Sequence, residues 1–314
     1  MTQHNSTAPS RWKIAAAFAA IYIIWGSTYL GIRFAIETIP PFLMAGVRFL
    51  LAGAMLYGWA RVRGAPRPLR VHWRSAAIIG ALLLLGGNGG VTWGEQHIAS
   101  GLAALLVATV PIWIAALDWL RPGGTRPDGP VIAGLLLGFV GILLLVGPGN
   151  LGGGEGNYTL GTLAVLGAAF SWALGSLYSK RAPLPGDALQ GIGMEMLAGG
   201  VWLWLAGTLA GEWGQLNLGA ISLRSGLALA YLTLFGSLVG FTAYVWLLRV
   251  VSPARAATYA YVNPVVAVFL GWAMAGEELT PLTLVAAAVI IAGVVITTTY
   301  RAQPRVAAEQ QSTV

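Results

Sequence analysis

Residues 98–120, IASGLAALLVATVPIWIAALDWL, decide the fold class of this chain. The stretch is almost entirely apolar, with Asp118 as its one charged residue, and its apolar positions do not alternate with polar ones. An α-helix needs about 20 mostly apolar residues to cross a hydrocarbon core of roughly 30 Å. Strands of outer-membrane barrels are shorter and alternate with a period of two. The stretch therefore predicts a membrane-spanning helix.

The composition of the whole chain agrees with that interpretation. Of its 314 residues, 57% are hydrophobic and 9% are charged, whereas roughly 25% of the residues in ordinary soluble domains are charged. The chain has no cysteine, which excludes disulfides, thiolate metal ligands and cysteine nucleophiles. The histidines His4, His72 and His97 have no spacing that suits a metal site. We expect an integral membrane protein without a metal or other cofactor.

Nine further stretches resemble residues 98–120 in length and apolarity, so the sequence predicts an all-α integral membrane protein with ten transmembrane helices. The predicted spans are 14–35, 42–60, 75–94, 98–120, 130–147, 160–179, 189–210, 226–248, 255–275 and 282–300. Residues 1–13 and 301–314 are predicted to be polar tails. The glycine-rich residues 148–158 are predicted to link two five-span units, 14–147 and 159–300.

The basic residues predict the orientation of the spans. If the amino terminus is cytoplasmic, 15 of the 18 Lys and Arg residues fall in cytoplasmic segments, and only Arg33 and Arg224 fall in outer loops. Such a positive-inside bias sets the topology of membrane proteins. It also explains the net charge of +7 through contact with anionic lipid headgroups, so no nucleic-acid partner is expected. Both termini are therefore predicted to be cytoplasmic.

The two five-span units are similar to each other in sequence. The matched positions are Trp25 with Trp172, Gly53 with Gly199, Pro111 with Pro264, and Gly141 with Gly293. Because each unit has an odd number of spans, successive copies enter the membrane from opposite sides, which predicts inverted-topology repeats. Carriers with such repeats hold their substrate near the bilayer midplane, between the copies. We therefore expect alternating access around a central cavity.

Two charged residues fall well inside predicted spans, away from the span ends. Arg48 lies about seven residues into the second span, and Glu195 about seven residues into the seventh. A charge at such a depth costs at least about 2.5 to 3.5 kcal/mol on insertion scales, so it normally faces the bundle interior and has a partner. Glu195 is a candidate proton or cation site, and Arg48 a candidate anchor for a carboxylate. A structural pair, or snorkelling to the interface, is the alternative for both.

Aromatic and polar side chains at similar depths predict the lining of the cavity, because they suit an amphipathic small molecule. Pro264 also leaves a backbone carbonyl of its helix free for a ligand. Interfacial anchoring of the tryptophans and a simple packing kink at Pro264 are the alternatives. The candidate cavity residues are Trp25, Ser27, Thr28, Tyr29, Asn88, Thr92, Trp172, Ser176, Tyr259, Tyr261, Asn263 and Pro264.

Several of these stretches resemble a known family. They are YIIWGSTY at 22–29, residues 40–49, GNG at 87–89, ATVP at 108–111, EML at 195–197 and YAYVNP at 259–264. Together they are similar to EamA-type ten-span exporters, of the YedA branch of the drug/metabolite transporter superfamily, over residues 14–300. The resemblance implies two EamA repeats, a bacterial inner-membrane location and export of small metabolites or toxic compounds. Members often carry a Gly-Glu pair after the fourth span of a repeat; Gly276-Glu277 fits, but the first repeat has Gly123-Gly124.

The sequence thus predicts a secondary transporter that exports amino acids, related amphipathic metabolites or drugs. The chain has no Walker A pattern, so we expect an ion gradient or facilitated diffusion, with Glu195 as the candidate site for proton coupling. A membrane sensor or assembly subunit without transport activity is the alternative. An enzyme is disfavoured for lack of a catalytic constellation, and a channel fits inverted repeats less well. The expected partners are a small-molecule substrate and the lipid bilayer; a monomer is expected, and a homodimer is left open.

Overall fold

The computed structural model of the chain describes residues 11–120, 128–146, 156–250 and 259–301. These residues form helices joined by short loops, and no strand occurs among them. In chain order the helices are α1 (Arg11–Ala35), α2 (Pro41–Val62), α3 (Arg70–Gly94), α4 (Ser100–Leu120), α5 (Gly129–Val146), α6 (Gly156–Ser179), α7 (Ala188–Leu209), α8 (Leu223–Tyr231, Leu232–Val239 and Gly240–Val250), α9 (Tyr259–Ala275) and α10 (Pro281–Arg301).

Seven of these helices are long and apolar enough to cross a membrane, namely α1 to α4 and α6 to α8. Shorter apolar helices of 10–17 residues lie at Gly129–Gly141, Val262–Ala275 and Pro281–Thr297, where the sequence predicts spans five, nine and ten. The chain is therefore a multi-pass, all-helical membrane protein. The count of ten transmembrane helices and their inverted symmetry remain predictions.

Local sequence explains where several helices begin and end. Pro41 starts α2, because the first helical position needs no backbone N–H donor. The side chain of Asp187 accepts a hydrogen bond from the Gln190 backbone nitrogen at 2.9 Å and so caps α7. The glycines that follow α2, α7 and α9 have φ values of +88°, +72° and +67°, a left-handed conformation in which a side chain would be strained. They are Gly64, Gly211 and Gly276.

Some boundaries differ from the predicted ones. Helix α3 begins at Arg70 instead of residue 75, and α6 begins at Gly156, inside the predicted linker. The reason is that polar residues can extend an apolar helix by a turn beyond the hydrocarbon, where hydropathy gives no signal. Residues 121–127, 147–155 and 251–258, which hold parts of the predicted loops and of the ninth span, lie outside the described ranges.

The helices expose two faces of the bundle. The Glu95 face is formed by the loops 36–40, 95–99, 210–222 and 276–280, and the Lys180 face by the loops 63–69 and 180–187. Contacts within each face fix this arrangement: Ser225 donates to the Phe34 backbone oxygen on the Glu95 face, and Gln190 donates to the Pro66 backbone oxygen on the Lys180 face. The positive-inside bias predicts that the Glu95 face is extracellular.

Close packing through glycine joins the two units. A Cβ on Gly53 of α2 would lie 2.8 Å from the Leu197 backbone nitrogen and 2.9 Å from the Gly193 oxygen, both in α7. A Cβ on Gly293 of α10 would lie 2.6 Å from the Gly138 backbone nitrogen in α5. Small residues let membrane helices approach to backbone contact, so these glycines hold the pairs α2–α7 and α5–α10 together.

Burial differs between the start of α4 and the start of α1. In the part of α4 nearest the Glu95 face, every residue of Ser100–Leu106 is buried. In the part of α1 nearest the Lys180 face, Arg11–Ala20, no residue is buried. The start of α4 is therefore enclosed on the Glu95 face and the start of α1 is exposed on the Lys180 face, where the start of α7 has Gln190, Gly191 and Gly193 buried.

Several helices lose regular α-helical geometry near their middle. π-Helical stretches occupy Ile21–Trp25 in α1, Gly80–Gly89 in α3 and Leu232–Val239 in α8. Helix α4 is interrupted at Ala108 and Thr109. Pro111 has no N–H to donate to the Val107 carbonyl, and its ring would clash with that carbonyl in a regular helix. Such irregularities inside helices are frequent at functional sites, and these surround a cavity.

Candidate functional site

A cavity of about 110 Å³ lies beside the irregular stretches of α1, α3, α4 and α8, which meet α2, α6 and α9 there. The volume is below the roughly 300 to 1,000 Å³ that is usual for drug-sized ligands, so the cavity suits a small molecule. Nine of the residues predicted from the sequence line it: Trp25, Thr28, Tyr29, Arg48, Asn88, Trp172, Tyr259, Asn263 and Pro264.

Arg48 provides the positive charge of the cavity. Its side chain, 4% exposed, projects from α2, and its Nε donates to the Ser237 hydroxyl in α8 at 2.9 Å. The guanidinium carbon also lies 4.8 Å from the centre of the Phe49 ring. Among the described residues no carboxylate pairs with Arg48. An ion pair of 3.2 Å does join Arg224 and Glu37, but it lies on the Glu95 face. A buried charge normally has a partner. Since no carboxylate of the described residues fills that role, the guanidinium is available to an anionic group of a ligand in the cavity.

Aromatic rings form one wall of the cavity around Trp25. Its ring centre lies 5.4 Å from that of Phe241, 5.2 Å from that of Tyr244 and 5.2 Å from that of Tyr259. Its indole N–H donates to the Gly236 backbone oxygen at 3.0 Å. A π-helical stretch exposes carbonyls that a regular helix would use internally, and here one of them fixes the indole. Phe241 and Tyr259 line the cavity together with Trp25, and both meet its ring edge-on, a geometry that stabilises aromatic clusters.

Asn263 provides an unsatisfied polar atom. The residue is 6% exposed, and its Oδ1 has no hydrogen-bond partner within the described part of the chain. It directly precedes Pro264, which lies inside α9 and removes one backbone donor from that helix. A buried amide without a partner is costly, so a ligand donor in the cavity would stabilise it.

The opposite wall is formed by α3 and α6. A Cβ on Gly87 would lie 2.8 Å from the Trp172 ring, so glycine is what allows this indole to lie against α3. The next residue, Asn88, lines the cavity, and its backbone oxygen accepts a hydrogen bond from the Thr92 hydroxyl at 2.8 Å. The wall thus combines an aromatic surface with one amide group.

Other predicted site residues lie elsewhere. The Ser27 hydroxyl is 2.6 Å from the Tyr231 hydroxyl of α8, outside the cavity lining. Thr92 and Ser176 each donate to the backbone one helical turn earlier, and neither lines the cavity. Glu195, on α7, is half-buried and also outside the lining. The side chain of Tyr261 lies outside the described part of the chain.

Part of the lining had no signal in the sequence. Small apolar residues of α4 and α6, including Ala104, Ala108, Ala168 and Ala169, complete the walls. Nothing distinguishes them from alanines that face lipid. Phe241 carried a weak signal, since it is an aromatic residue at the depth of Trp25. Within the described ranges no three acidic or histidine side chains are grouped closely enough to hold a metal ion.

Comparison with known proteins relates this architecture to a family. The model of the EamA-like transporter family matches residues 11–147 and 159–299. The chain belongs to the EamA-like transporter family. The resemblance found in the sequence is thereby confirmed, and the matched segments coincide within a few residues with the two predicted five-span units.

Individual EamA relatives cover nearly the whole chain. The uncharacterized inner membrane transporter YedA of Escherichia coli K12 is 45% identical over 284 residues, which are 90% of this chain and 89% of that protein. The uncharacterized transporter YoaV of Bacillus subtilis is 25% identical over 91% of this chain and 97% of its own length. A solved crystal structure, 22% identical, superimposes with a TM-score of 0.62 over 93% of this chain and the whole of that one. The likeness to that structure supports the fold alone.

Proposed function

We propose that this EamA-family transporter is a secondary exporter of small amphipathic metabolites that carry a carboxylate, such as amino acids. The carboxylate binds Arg48, the apolar part of the substrate lies against Trp25 and Trp172, and a donor group reaches Asn263. Export proceeds by alternating access, with substrate entering from the Lys180 face. Drug-sized compounds are a less good fit to a cavity of about 110 Å³.

The observation that carries the proposal is the buried Arg48 guanidinium, which faces the cavity without a carboxylate partner among the described residues. A permanently charged fork of N–H donors matches the two oxygens of a carboxylate. In a cavity of low polarity that charge favours an anion over a neutral or cationic ligand.

The buried start of α4 and the exposed start of α1 support alternating access. The Glu95 face is closed by the buried start of α4, whereas the Lys180 end of α1 has no buried residue. We propose that this state opens toward the Lys180 face, from which an exported substrate would enter. We further propose that this face is cytoplasmic, as the positive-inside bias predicts, and that the membrane is a bacterial inner membrane, because the relative YedA is an inner membrane transporter.

Release from proteoliposomes tests the proposal. The purified protein is reconstituted, and the vesicles are loaded in turn with aromatic amino acids, with threonine or homoserine, and with a cationic dye. Saturable release of the carboxylate compounds, with slower or no release of the dye, is the expected result. Saturable release of the dye alone would contradict the role of Arg48. Arg48→Gln should lose the saturable release, whereas the matched control Arg224→Gln, which removes an arginine that pairs with Glu37 outside the cavity, should keep it.

Coupling to protons through Glu195 is a separate part of the proposal. This carboxyl group is a half-buried acid within a span, as coupling residues are in many carriers. Replacement by glutamine removes the titrating group and keeps the shape. Glu195→Gln should release substrate at a rate independent of the pH gradient, and an unchanged gradient dependence would exclude Glu195 as the coupling site.

The second candidate is a membrane sensor or assembly subunit that does not transport. It would be supported by substrate binding to the cavity without counterflow of labelled substrate. Family membership and a cavity between irregular helices favour a carrier instead. The names of the relatives also describe transporters and not enzymes.

A further inference from the structure

The carboxyl group of Glu95 is buried without a partner in the part of the chain that the structure describes. Glu95 directly follows α3 and is 0% exposed. Neither of its carboxyl oxygens has a hydrogen bond to another described residue. Arg33 of α1 is close, yet its Nη1 donates to the backbone oxygen of Glu95, at 2.7 Å, and not to the carboxyl group. A charged carboxylate is costly here, because it has lost water and gained no donor.

Charged and titratable groups face Glu95 from neighbouring elements. Burial is the largest influence; together with repulsion from Glu277, in the loop after α9, it raises the pKa of Glu95 well above the ordinary value of 4.5. Arg33 of α1 acts in the opposite direction and does not cancel these effects. Tyr29, one turn earlier in α1, also interacts with Glu95. The adjoining pocket on this face adds two titratable side chains, His97 of the α3–α4 loop and Tyr158 of α6.

Glu95 lies beside a contact that closes the Glu95 face. The carboxylate of Glu277 accepts hydrogen bonds from the Ser100 backbone nitrogen and hydroxyl, at 2.7 and 2.6 Å, and from the Gly101 nitrogen at 3.0 Å. These bonds hold the loop after α9 on the first turn of α4. A negative charge on Glu95 would repel Glu277 and weaken them. Loss of a proton from Glu95 therefore favours separation of α4 from that loop.

We propose that Glu95 is a proton-binding site that holds the cavity closed on the Glu95 face. In the closed state the carboxyl group carries its proton, so the buried side chain is neutral and Glu277 keeps its contact with Ser100. Opening of this face hydrates Glu95, and the proton leaves its carboxyl oxygen for water on the same side. Because the closed state binds the proton more tightly, lower pH favours closure and higher pH favours opening. The inference rests on the proposed transport function, since it concerns access to the same cavity.

Cysteine labelling measures the opening directly, because the chain has no native cysteine. Ala169→Cys places a thiol in the cavity lining, where the alanine is buried. A membrane-impermeant maleimide is added on the Glu95 face of sealed vesicles between pH 5.5 and 9. Each rate is divided by the rate for Leu218→Cys, an exposed position on the same face, which removes the pH dependence of the thiol itself. The normalised rate should rise with pH through a single midpoint.

Charge variants test whether Glu95 sets that midpoint. Glu95→Gln, in the Ala169→Cys background, should label slowly at every pH. Arg33→Gln removes a charge that favours ionised Glu95 and should move the midpoint to higher pH, whereas Glu277→Gln should move it to lower pH. The matched control is Glu37→Gln, an exposed acid on the same face that pairs with Arg224. It should leave the profile unchanged.

Three results would overturn the proposal: a labelling rate independent of pH in the parent, an unchanged profile in Glu95→Gln, or no movement of the midpoint in Arg33→Gln. If Glu95→Gln does not fold, the opposite shifts in the other two variants still decide the matter. The labelling needs no transported substrate. A pH-dependent labelling rate without any counterflow would therefore contradict the transport function and leave the proton site intact.

Discussion

Glu212 and Glu277 occupy equivalent structural positions in the second half of the chain. Each follows a left-handed glycine at the end of a helix, and each carboxylate binds free amides at the start of a helix in the first half. Glu212 accepts from the Phe42 and Leu43 nitrogens of α2 at 3.2 and 2.9 Å. A carboxylate at a helix N-terminus satisfies orphan donors and interacts favourably with the helix dipole. Two caps thus join the halves on the Glu95 face.

Removal of one cap should lower stability. In Glu212→Ala the Phe42 and Leu43 amides lose their acceptor in a place with little access to water. We expect the free energy of unfolding to fall by about 1–3 kcal/mol, the usual cost of buried donors left unpaired. Thermal unfolding in detergent measures the change. Glu278→Ala, which removes an exposed acid from the same face, is the control. Equal effects of the two substitutions would show that capping contributes nothing.

The pH dependence of stability should include a contribution from Glu95. Its pKa in the folded protein is raised, chiefly by burial and then by Glu277, so the folded state binds the proton more tightly than the unfolded state. The contribution is fully present below the unfolded value near 4.5 and is lost as the pH rises through the folded pKa. Unfolding midpoints measured across pH should therefore fall less steeply for Glu95→Gln than for the parent. An equally steep fall of the unfolding midpoint with pH in Glu95→Gln and in the parent would contradict the burial of Glu95 in its protonated form.

Two glycines of α2 should respond differently to the same substitution. A Cβ on Gly53 would meet the α7 backbone at 2.8 Å, whereas a Cβ on Gly58 would meet nothing within 4 Å. Gly53→Ala should destabilise the protein by about 1–3 kcal/mol, because two backbones must separate. Gly58→Ala should be neutral or stabilise it by up to about 1 kcal/mol, the helix preference for alanine. Comparable losses in both variants would argue against close α2–α7 packing.

The hydrogen bond of Trp25 should be needed for substrate affinity. Trp25→Phe keeps an aromatic ring in the wall but loses the bond to the Gly236 oxygen in α8. One such bond contributes about 0.5–1.5 kcal/mol net, which corresponds to roughly a two- to tenfold rise in the half-saturating substrate concentration. Counterflow at varied substrate concentration measures it. Trp12→Phe, at an exposed position near the start of α1, should change nothing. An equal rise of the half-saturating concentration in both variants would show that the Trp25 indole does not contribute to substrate binding.

The apolar pattern of the sequence predicted the positions of the helices, because each span must satisfy its backbone hydrogen bonds within itself. Their internal geometry could be predicted only in part. Pro111 is a signal in the sequence for a disturbance of α4, and the helix is interrupted just before it, at Ala108 and Thr109. The π-helical stretch Gly80–Gly89 has no comparable signal, because it depends on how α6 and α7 pack against that backbone.

The sequence predicted how deep in the membrane the site residues lie, but not which side of each helix faces the cavity. Trp25 and Arg48 were recognised because a large aromatic ring and a charge are costly to place at random in mid-span, and both line the cavity. Ser27 and Thr28 are adjacent in α1, yet only Thr28 lines it. Hydropathy cannot separate such neighbours, since both hydroxyls can bond to the preceding turn. Glu95 was missed as a functional residue because a loop position predicts exposure, whereas α1 and the loop after α9 bury it.

Competition for transport between matched carboxylate and carboxamide compounds tests the central claim, that Arg48 binds the anionic group of the substrate. Inhibition of counterflow by each compound is measured in the parent, in Arg48→Gln and in Arg48→Lys, with Arg224→Gln as the control. The account predicts that the parent prefers the carboxylate by about tenfold or more, as expected for a charge-assisted bond of about 1.5–3 kcal/mol. Arg48→Gln should lose that preference, and Arg48→Lys should keep part of it. An unchanged preference in Arg48→Gln would contradict the account.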